Sequence, residues 1–180
     1  MKIIAFAGMP CSGKTEAVQI AKEMNIPVIR MGDMVLAEVK NRGLSLDDKH
    51  VGNIADQMRE EFGKDIWAQR TLEKITSFGK SDCIVIDGIR NVEEIETFKE
   101  ELGKDFVIIA VTASDETRQK RFLQRGREDD SRNIRDLEQR DKRELRWGLD
   151  TVIASADIVV SNEGDLNDLR NEIQKILDRI

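Results

Sequence analysis

A stretch of eight residues near the start of the chain has the residue types and spacing of a phosphate-binding loop. It reads Gly8-Met9-Pro10-Cys11-Ser12-Gly13-Lys14-Thr15, which has the form G-x-x-x-x-G-K-[ST]. The glycines let the backbone turn tightly and bring its N–H groups close to phosphate oxygens. Lys14 can reach the β- and γ-phosphates, and Thr15 offers a hydroxyl to Mg²⁺. The stretch therefore predicts a site for ATP and Mg²⁺.

A second candidate for metal binding ends an apolar run in the middle of the chain. The run Ile84-Val85-Ile86-Asp87 reads as a strand that finishes in a carboxylate, which is the form of a Walker B element. A strand that ends in Asp is also common at turns. Because the phosphate-binding loop is present, we interpret Asp87 as the group that holds a Mg²⁺ water opposite Thr15.

The elements that must position these residues alternate along the chain. Apolar runs predict strands near 3–7, 27–29, 83–86, 106–111 and 158–160. Amphipathic stretches predict helices at about 15–24, 34–42, 47–62, 65–77, 91–102, 115–125, 133–150 and 165–179. The central strand runs are continuously apolar, as expected for strands covered on both faces.

This alternation predicts an α/β fold of the P-loop NTPase type. We expect a three-layer sandwich with a five-stranded parallel sheet and helices on both faces. The phosphate-binding loop then opens a helix whose positive end points at the anion. Between the second and third strands lie about fifty helical residues without a strand, which is long for one crossover. We predict a helical insertion at about 33–80 within a single domain.

Composition limits the classes of partner. The chain has 180 residues and a net charge of −6 at pH 7, which argues against general nucleic-acid binding. It has no apolar run long enough to span a membrane and no signal-peptide pattern, so we expect a cytoplasmic protein with no membrane partner. Trp67 and Trp147 fall among apolar neighbours, which favours packing over base stacking. The oligomeric state stays open.

Two motifs, one at the second predicted strand and one at the end of the third, resemble the signatures of adenylate kinases. The segments P-V-I-R-M-G-D-M, at 27–34, and V-I-D-G-I-R, at 85–90, are similar to that family's T-G-D-[ML] and D-G-[FY]-P-R. The family's arginine shortly after T-G-D is replaced here by Leu36, and its proline is missing. Because both signatures flank the monophosphate acceptor, the resemblance implies an acceptor site. Its residues are Arg30, Gly32, Asp33, Gly88 and Arg90.

An arginine-rich segment resembles the lid region of the same family. Arg121 and Arg125 match two arginines four apart on a helix, and the sequence Arg127-Glu128-Asp129-Asp130 matches the returning R-x-D-D. Only a short lid, about 126–132, lies there. The resemblance implies that Arg121 contacts the nucleotide, and that Arg125, Arg127 and Arg140 on the next helix act in catalysis with Arg90. Without the resemblance, such a run of charges would favour a salt-bridged, solvated helix face, whereas the resemblance favours Arg121, Arg125 and Arg127 as ligands.

The segment after the last predicted strand is similar to the end of dephospho-coenzyme A kinases. It reads A-D-I-V-V-S-N-E-G-D, at 156–165, beside that group's A-D-x-V-I-x-N-x-G-[ST]. The resemblance implies that Asn162 and Gly164 line the pocket for the adenine of ATP. A plain turn between a strand and a helix would need the same residue types, so both interpretations stay open.

The chain thus resembles P-loop nucleotide kinases of the adenylate kinase and dephospho-coenzyme A kinase group, and especially archaeal adenylate-kinase-related proteins. This resemblance implies transfer of the γ-phosphoryl group of Mg·ATP to a small nucleotide acceptor. A monophosphate such as AMP needs no base, whereas a hydroxyl acceptor such as dephospho-coenzyme A benefits from a carboxylate. Asp33 stands where dephospho-coenzyme A kinases carry one. Lys14 would stabilise the transferred group.

A function from another class also fits the sequence. Some adenylate-kinase-like proteins act as nucleotide-dependent switches or ATPases in ribosome assembly and transfer nothing to a metabolite. The short lid favours this alternative, because a reduced lid excludes water less well. The acceptor-side motifs favour the kinase.

Overall fold

Five parallel strands form the single sheet of the computed structural model, which describes residues 1–78, 81–125 and 133–180. The strands are β1 (Lys2–Ala7), β2 (Val28–Arg30), β3 (Cys83–Asp87), β4 (Phe106–Thr112) and β5 (Ile158–Ser161). Their spatial order is β2-β3-β1-β4-β5, and each neighbouring pair is parallel. The α/β class, the five strands and their parallel arrangement are therefore confirmed.

Helices connect the strands. They are α1 (Lys14–Glu23), α2 (Met31–Asn41), α3 (Asp48–Phe62), α4 (Ile66–Thr76), α5 (Val92–Leu102), α6 (Asp115–Arg125), α7 (Ile134–Trp147), α8 (Leu149–Ala154) and α9 (Leu166–Leu177). The prediction of one helix over 133–150 is wrong. Gly148 adopts a left-handed φ of 103°, which ends α7 and lets α8 begin in a new direction.

Apolar side chains of alternate strand residues build one core on each face of the sheet, because successive residues of a strand point to opposite faces. In β1, Ile3 and Ala5 join the core covered by α2, α3, α4, α5 and α8. Ile4 and Phe6 join the core covered by α1 and α9. These two cores and the sheet between them make the three layers.

The connection between β2 and β3 consists of α2, α3 and α4. Trp67 of α4 and Met58 of α3 are fully buried, and both belong to the same core as Ile3 of the central strand. The three helices are thus anchored to the sheet through their apolar faces. Of the helices in the described parts of the chain, none combines the length and hydrophobicity needed to cross a membrane.

The carboxyl ends of all five strands meet at one edge of the sheet, because the strands are parallel. Phe6 of β1 and Arg30 of β2 both lie beside Asp87, which ends β3. Thr112 of β4 lies beside Ser161 of β5. This edge is where open α/β sheets bind ligands, and it carries the phosphate-binding loop directly after β1.

Candidate functional site

The phosphate-binding loop has a backbone that only glycine fits at two positions. Gly13 precedes α1 with φ of 110°, and a Cβ atom there would collide with the side-chain amide of Asn162. A Cβ atom on Gly8 would lie 2.5 Å from the carbonyl oxygen of Val111. The loop therefore turns tightly against β4 and the end of β5, and α1 points its N-terminus into the site.

Lys14 and Asp87 form an ion pair at the mouth of the loop. The Nε atom of Arg30 lies 3.8 Å from the second oxygen of Asp87. The strand carboxylate predicted for metal binding is therefore adjacent to the loop lysine, because β1 and β3 are neighbours in the sheet.

The donor set fits a magnesium ion that arrives with a nucleotide. Thr15 is exposed and offers one hydroxyl, while Asp87 offers one carboxylate. The described residues contain no cluster of three or more His, Cys, Asp or Glu side chains that could hold a metal by itself. Mg²⁺ characteristically uses one or two carboxylates and completes its shell with phosphate oxygens and water, so this sparse set is sufficient.

Asn162 and Arg121, which were predicted to contact the nucleotide, donate hydrogen bonds to the backbone of the loop. Asn162 is buried, and its Nδ2 atom donates to the carbonyl oxygen of Ser12 at 2.8 Å. Arg121 donates to the same carbonyl at 3.3 Å and to the Asn162 carbonyl at 2.9 Å. The end of β5 and helix α6 are thus tied to the loop through one backbone oxygen.

Arg118, which the sequence analysis missed, is a third support of the loop. Its guanidinium donates to the carbonyl of Pro10 at 3.0 Å and to both oxygens of Asp141 at 2.9 and 2.7 Å. Only 5% of its side chain is exposed. Burial acts to lower the pKa of Arg118, but Asp141 and Asp115 outweigh it and raise the pKa above its ordinary value. Its position three residues before Arg121, on the same helix face, was the available signal.

A cavity of about 640 Å³ opens in front of the loop. One wall is the loop itself. Another part of the lining, which we call the arginine wall, consists of Arg90 from the β3–α5 connection with Arg140, Arg143 and Glu144 from α7. The three α7 residues are spaced i, i+3 and i+4 and so share one helix face. Arg121 and Gln124 of α6 also line the cavity.

Arg90 is the anchor of the arginine wall. Its Nε atom donates to Glu144 at 2.7 Å, and its Nη1 atom donates to the carbonyl of Gly88 at 2.8 Å. Its backbone N–H donates to the buried carboxylate of Glu94 at 2.8 Å. Burial acts to lower the pKa of Arg90, but the carboxylates of Glu144, Glu94 and Asp87 outweigh it and raise the pKa. Arg90 therefore stays charged and fixed.

Trp147, at the end of α7, supports this wall from outside the cavity. The guanidinium carbons of Arg59, Arg90 and Arg143 lie 4.9, 5.6 and 5.6 Å from the centroid of its ring. Its indole N–H donates to Asp56 of α3 at 2.6 Å. The ring is thus packed among cations and is only partly buried, whereas the sequence suggested packing among apolar neighbours.

The predicted acceptor-site residues at and after the end of β2 lie apart from the lining of the cavity. Gly32 and Asp33 occupy the first turn of α2, and Asp33 is exposed. Neither they nor Arg30 are among the described residues that line the cavity. A Cβ atom on Gly88 would lie 3.6 Å from that of Met31, so the two acceptor motifs do adjoin.

The remaining predictions fall on α6, on the β5–α9 turn and on the segment after α6. Gly164 lies against Asp168 at the start of α9 and does not line the cavity as described. Arg125 is the last residue of α6. Arg127 and the predicted lid at 126–132 lie outside the described residues. Arg140 lines the cavity, and the catalytic role that the resemblance implied for it stays a prediction.

Comparisons of the sequence with known proteins identify relatives of this chain. Residues 7–138 match the family described as AAA domain. The UPF0200 protein of Methanosarcina barkeri is 45% identical over 177 residues, covering 98% of this chain and 95% of that protein. The UPF0200 protein of Methanocaldococcus jannaschii is 41% identical over 181 residues, covering 100% of this chain and 91% of that protein.

Solved structures show the same fold at low sequence identity. TT1252 from Thermus thermophilus superposes with a TM-score of 0.69 at 17% identity, covering 99% of this chain and 97% of that one. The dephospho-CoA kinase from Campylobacter jejuni gives a TM-score of 0.62 at 17% identity, covering 99% and 96%. The kinase-like P-loop fold that the motifs predicted is confirmed. With the motif, the fold and full-length relatives in agreement, the chain belongs to the AAA-domain family and to the UPF0200 proteins.

Proposed function

We propose that this protein is a phosphotransferase that moves the γ-phosphoryl group of Mg·ATP to an anionic small molecule of the nucleotide type. The observation that carries the proposal is that the phosphate-binding loop and the arginine wall line the same cavity. The loop has the residue pattern of a triphosphate site, and the guanidinium-bearing residues Arg90, Arg140 and Arg143 line the cavity beside it. AMP and dephospho-coenzyme A are the acceptors that the sequence resemblance suggests.

Positioning and charge neutralisation are the main requirements of phosphoryl transfer. Lys14 would leave Asp87 for the phosphates, which frees the Asp87 carboxylate for a metal-bound water. Mg²⁺, held by Thr15 and Asp87, would neutralise charge on the β- and γ-phosphates. Arg121, Arg140 and the other cavity arginines have planar, forked donors that suit the oxygens of the transferred group.

The two acceptor classes place different demands on the protein. A monophosphate is already an anion, so Arg30 and Arg90 would orient it and no proton acceptor would be required. A hydroxyl group must lose its proton during the transfer, and a nearby carboxylate speeds that step. For a hydroxyl acceptor, the resemblance to dephospho-coenzyme A kinases suggests that Asp33 is this carboxylate.

The test is ADP formation by the purified chain with Mg·ATP and a panel of acceptors. The panel contains nucleoside monophosphates and dephospho-coenzyme A, and mass spectrometry identifies the phosphorylated product. We expect one acceptor to stimulate ADP formation at least tenfold. Lys14→Ala should reduce the stimulated rate by at least ~100-fold, because it removes a donor aimed at the transferred group.

The matched control is Lys22→Ala, an exposed lysine near the end of the same helix, which should leave the rate unchanged. ATP hydrolysis that no acceptor changes would contradict the phosphotransferase and favour a nucleotide-dependent switch in macromolecular assembly. Absence of ATP binding in calorimetry would contradict both.

A further inference from the structure

A second cavity, of about 380 Å³, lies apart from the one in front of the phosphate-binding loop. Its lining comes from α3, from the connection between α3 and α4, from the N-terminal cap of α5 and from the end of α7. Of the described residues that line the two cavities, none is shared. The function proposed above therefore leaves this second cavity without a role.

Several polar groups around the second cavity already hold one another. The indole N–H of Trp147 and the Nη2 atom of Arg146 both donate to Asp56, at 2.6 and 2.7 Å. The side-chain amide of Asn91 donates to the carbonyl oxygen of Lys64 at 3.0 Å. These contacts join α3, α7 and the start of α5 around the cavity, and they require no ligand.

Arg59, which also lines the second cavity, differs from these groups. Only 10% of its side chain is exposed, and its Nη2 atom donates to Glu94 at 3.1 Å. Its Nε and Nη1 atoms are buried and have no hydrogen-bond partner in the parts of the chain that the structure describes. The ring of Trp147, whose centroid lies 4.9 Å from the guanidinium carbon, offers a π face and no oxygen. Two donors of a buried cation are therefore left over.

The unused donors of Arg59 indicate which kind of ligand the second cavity accepts. A buried donor without a partner is costly, and native structures usually provide an acceptor for it. Both nitrogens are shielded from bulk water, so the acceptor has to come from the cavity that Arg59 lines. That cavity is far larger than the ~30 Å³ that one water molecule occupies in the liquid. Guanidinium groups form their strongest hydrogen bonds with carboxylate and phosphate oxygens.

We propose that the second cavity binds a small molecule through a phosphate or carboxylate group, and that Arg59 is the residue that holds this oxyanion. Lys64 can add a contact at the rim. Its ion pair with Glu93 joins side chains that are 69% and 38% exposed, and such a surface pair contributes little, so Lys64 can turn to a ligand. The carboxylate of Glu60, which also lines the cavity, is exposed to solvent that screens its charge.

The test is calorimetric titration of the full chain with inorganic phosphate and, separately, with succinate. A non-hydrolysable ATP analogue and Mg²⁺ are present at saturation, so that a probe does not bind at the phosphate-binding loop. We expect at least one probe to bind, and the two probes distinguish a phosphate site from a carboxylate site. Arg59→Lys should raise the Kd of that probe at least about tenfold, because lysine keeps the charge but lacks the Nε and Nη donors.

An exposed position provides a second variant, since a change at Arg59 also alters the buried contact with Glu94. Lys64→Met should raise the Kd of the probe about threefold, the effect of one exposed cation. Lys74→Met, at an exposed position on α4 that does not line the cavity as described, is the matched control and should leave the Kd unchanged. Circular dichroism and the melting temperature show whether each variant is folded.

The outcomes also separate this site from the proposed function, because the titration measures binding and needs no catalysis. Absence of heat with both probes would overturn the site, even if an acceptor stimulates ADP formation. A Kd that stays the same in folded Arg59→Lys and in Lys64→Met would place the oxyanion elsewhere and overturn it too. If the ATP analogue does not bind, the proposed function fails, and the dependence of probe binding on Arg59 and Lys64 still decides for or against the second cavity.

Discussion

The two walls of the cavity are built in opposite ways. The loop wall is one contiguous stretch, from Gly8 to Thr15, and much of what it offers a phosphate is backbone N–H. The arginine wall consists of side chains from separate elements, and its central contact joins Arg90 to Glu144 across 54 positions of sequence. One wall is thus specified by local backbone conformation, and the other by how α7 packs beside the β3–α5 connection.

This difference has a physical consequence for how each wall can fail. A loop whose conformation depends on glycines resists distant changes, provided that its external supports remain. The arginine wall depends on contacts between separate elements, such as those that Glu144 and Trp147 make with Arg90. Distant substitutions should therefore weaken acceptor use more readily than ATP binding.

Arg118 supports the loop from helix α6, and replacing it tests whether the loop wall depends on distant contacts as the arginine wall does. Arg118→Met removes the donor to Pro10 and leaves Asp141 without its guanidinium partner. Breaking a largely buried ion pair by removing one member typically costs several kcal/mol. We expect the free energy of unfolding in guanidinium chloride to fall by about 3 kcal/mol, and the Kd for ATP to rise about tenfold, equivalent to about 1.4 kcal/mol.

A suitable control is Arg135→Met, which changes an exposed arginine at the start of α7. It should alter the free energy of unfolding by less than about 0.5 kcal/mol. If Arg118→Met lowers stability while the Kd for ATP stays the same, the loop would hold its conformation without help from α6. The contrast between the two walls would then be sharper than we infer.

The support of the arginine wall is tested by Asp56→Ala. Asp56 accepts from the indole of Trp147 at 2.6 Å and from Arg146 at 2.7 Å, which ties α3 to the end of α7. Losing hydrogen bonds to a charged group costs about 2 kcal/mol. We also expect the acceptor KM to rise at least threefold with the Kd for ATP unchanged, because Trp147 contacts Arg90 and Arg143.

Tryptophan fluorescence gives a direct readout for this variant. Because the indole of Trp67 donates to the carbonyl of Ala55, next to Asp56, the measurement uses a Trp67→Phe background, in which emission reports the partly exposed Trp147. Asp150→Ala, at an exposed position on α8, is the matched control. A rise in the Kd for ATP with an unchanged acceptor KM would contradict the assignment of Trp147 to the arginine wall.

Much of the fold and the loop wall could be predicted because their signals are local. The predicted strands agree with the observed ones within about one residue at most ends, since continuous apolar runs mark buried parallel strands. Asp165 is the N-terminal cap of α9, with its side chain accepting from the Asp168 N–H, and Asp is one of the residue types that commonly cap helices. The end of α7 was missed because Gly148 inside an amphipathic helical pattern does not by itself specify a break.

The arginine wall could be predicted only in part, because charged side chains reveal their partners only in three dimensions. The resemblance led to Arg90 and Arg140, but Arg143 and Glu144 carry no motif of their own. Their spacing from Arg140 would have placed them on the same helix face. Arg118 was overlooked for the same reason, since an arginine next to other charges usually indicates a solvated surface.

The smallest expected effect concerns an ion pair that lies in neither wall. Glu38 of α2 accepts from Arg42 at 2.7 Å and from Arg70 of α4 at 3.0 Å, and these hydrogen bonds hold its pKa below the ordinary value of 4.5. A lowered pKa in the folded state means stability that is present above pH 4.5 and is lost as the pH falls. Glu38→Gln should therefore lower the free energy of unfolding by about 1 kcal/mol at pH 7 and by much less at pH 3, measured by urea unfolding.

Glu73→Gln, at an exposed position on α4, is the control and should show no such pH-dependent difference. If Glu38→Gln lowers the free energy of unfolding as much at pH 3 as at pH 7, the shape of this side chain and not its charge would join α2 to α4.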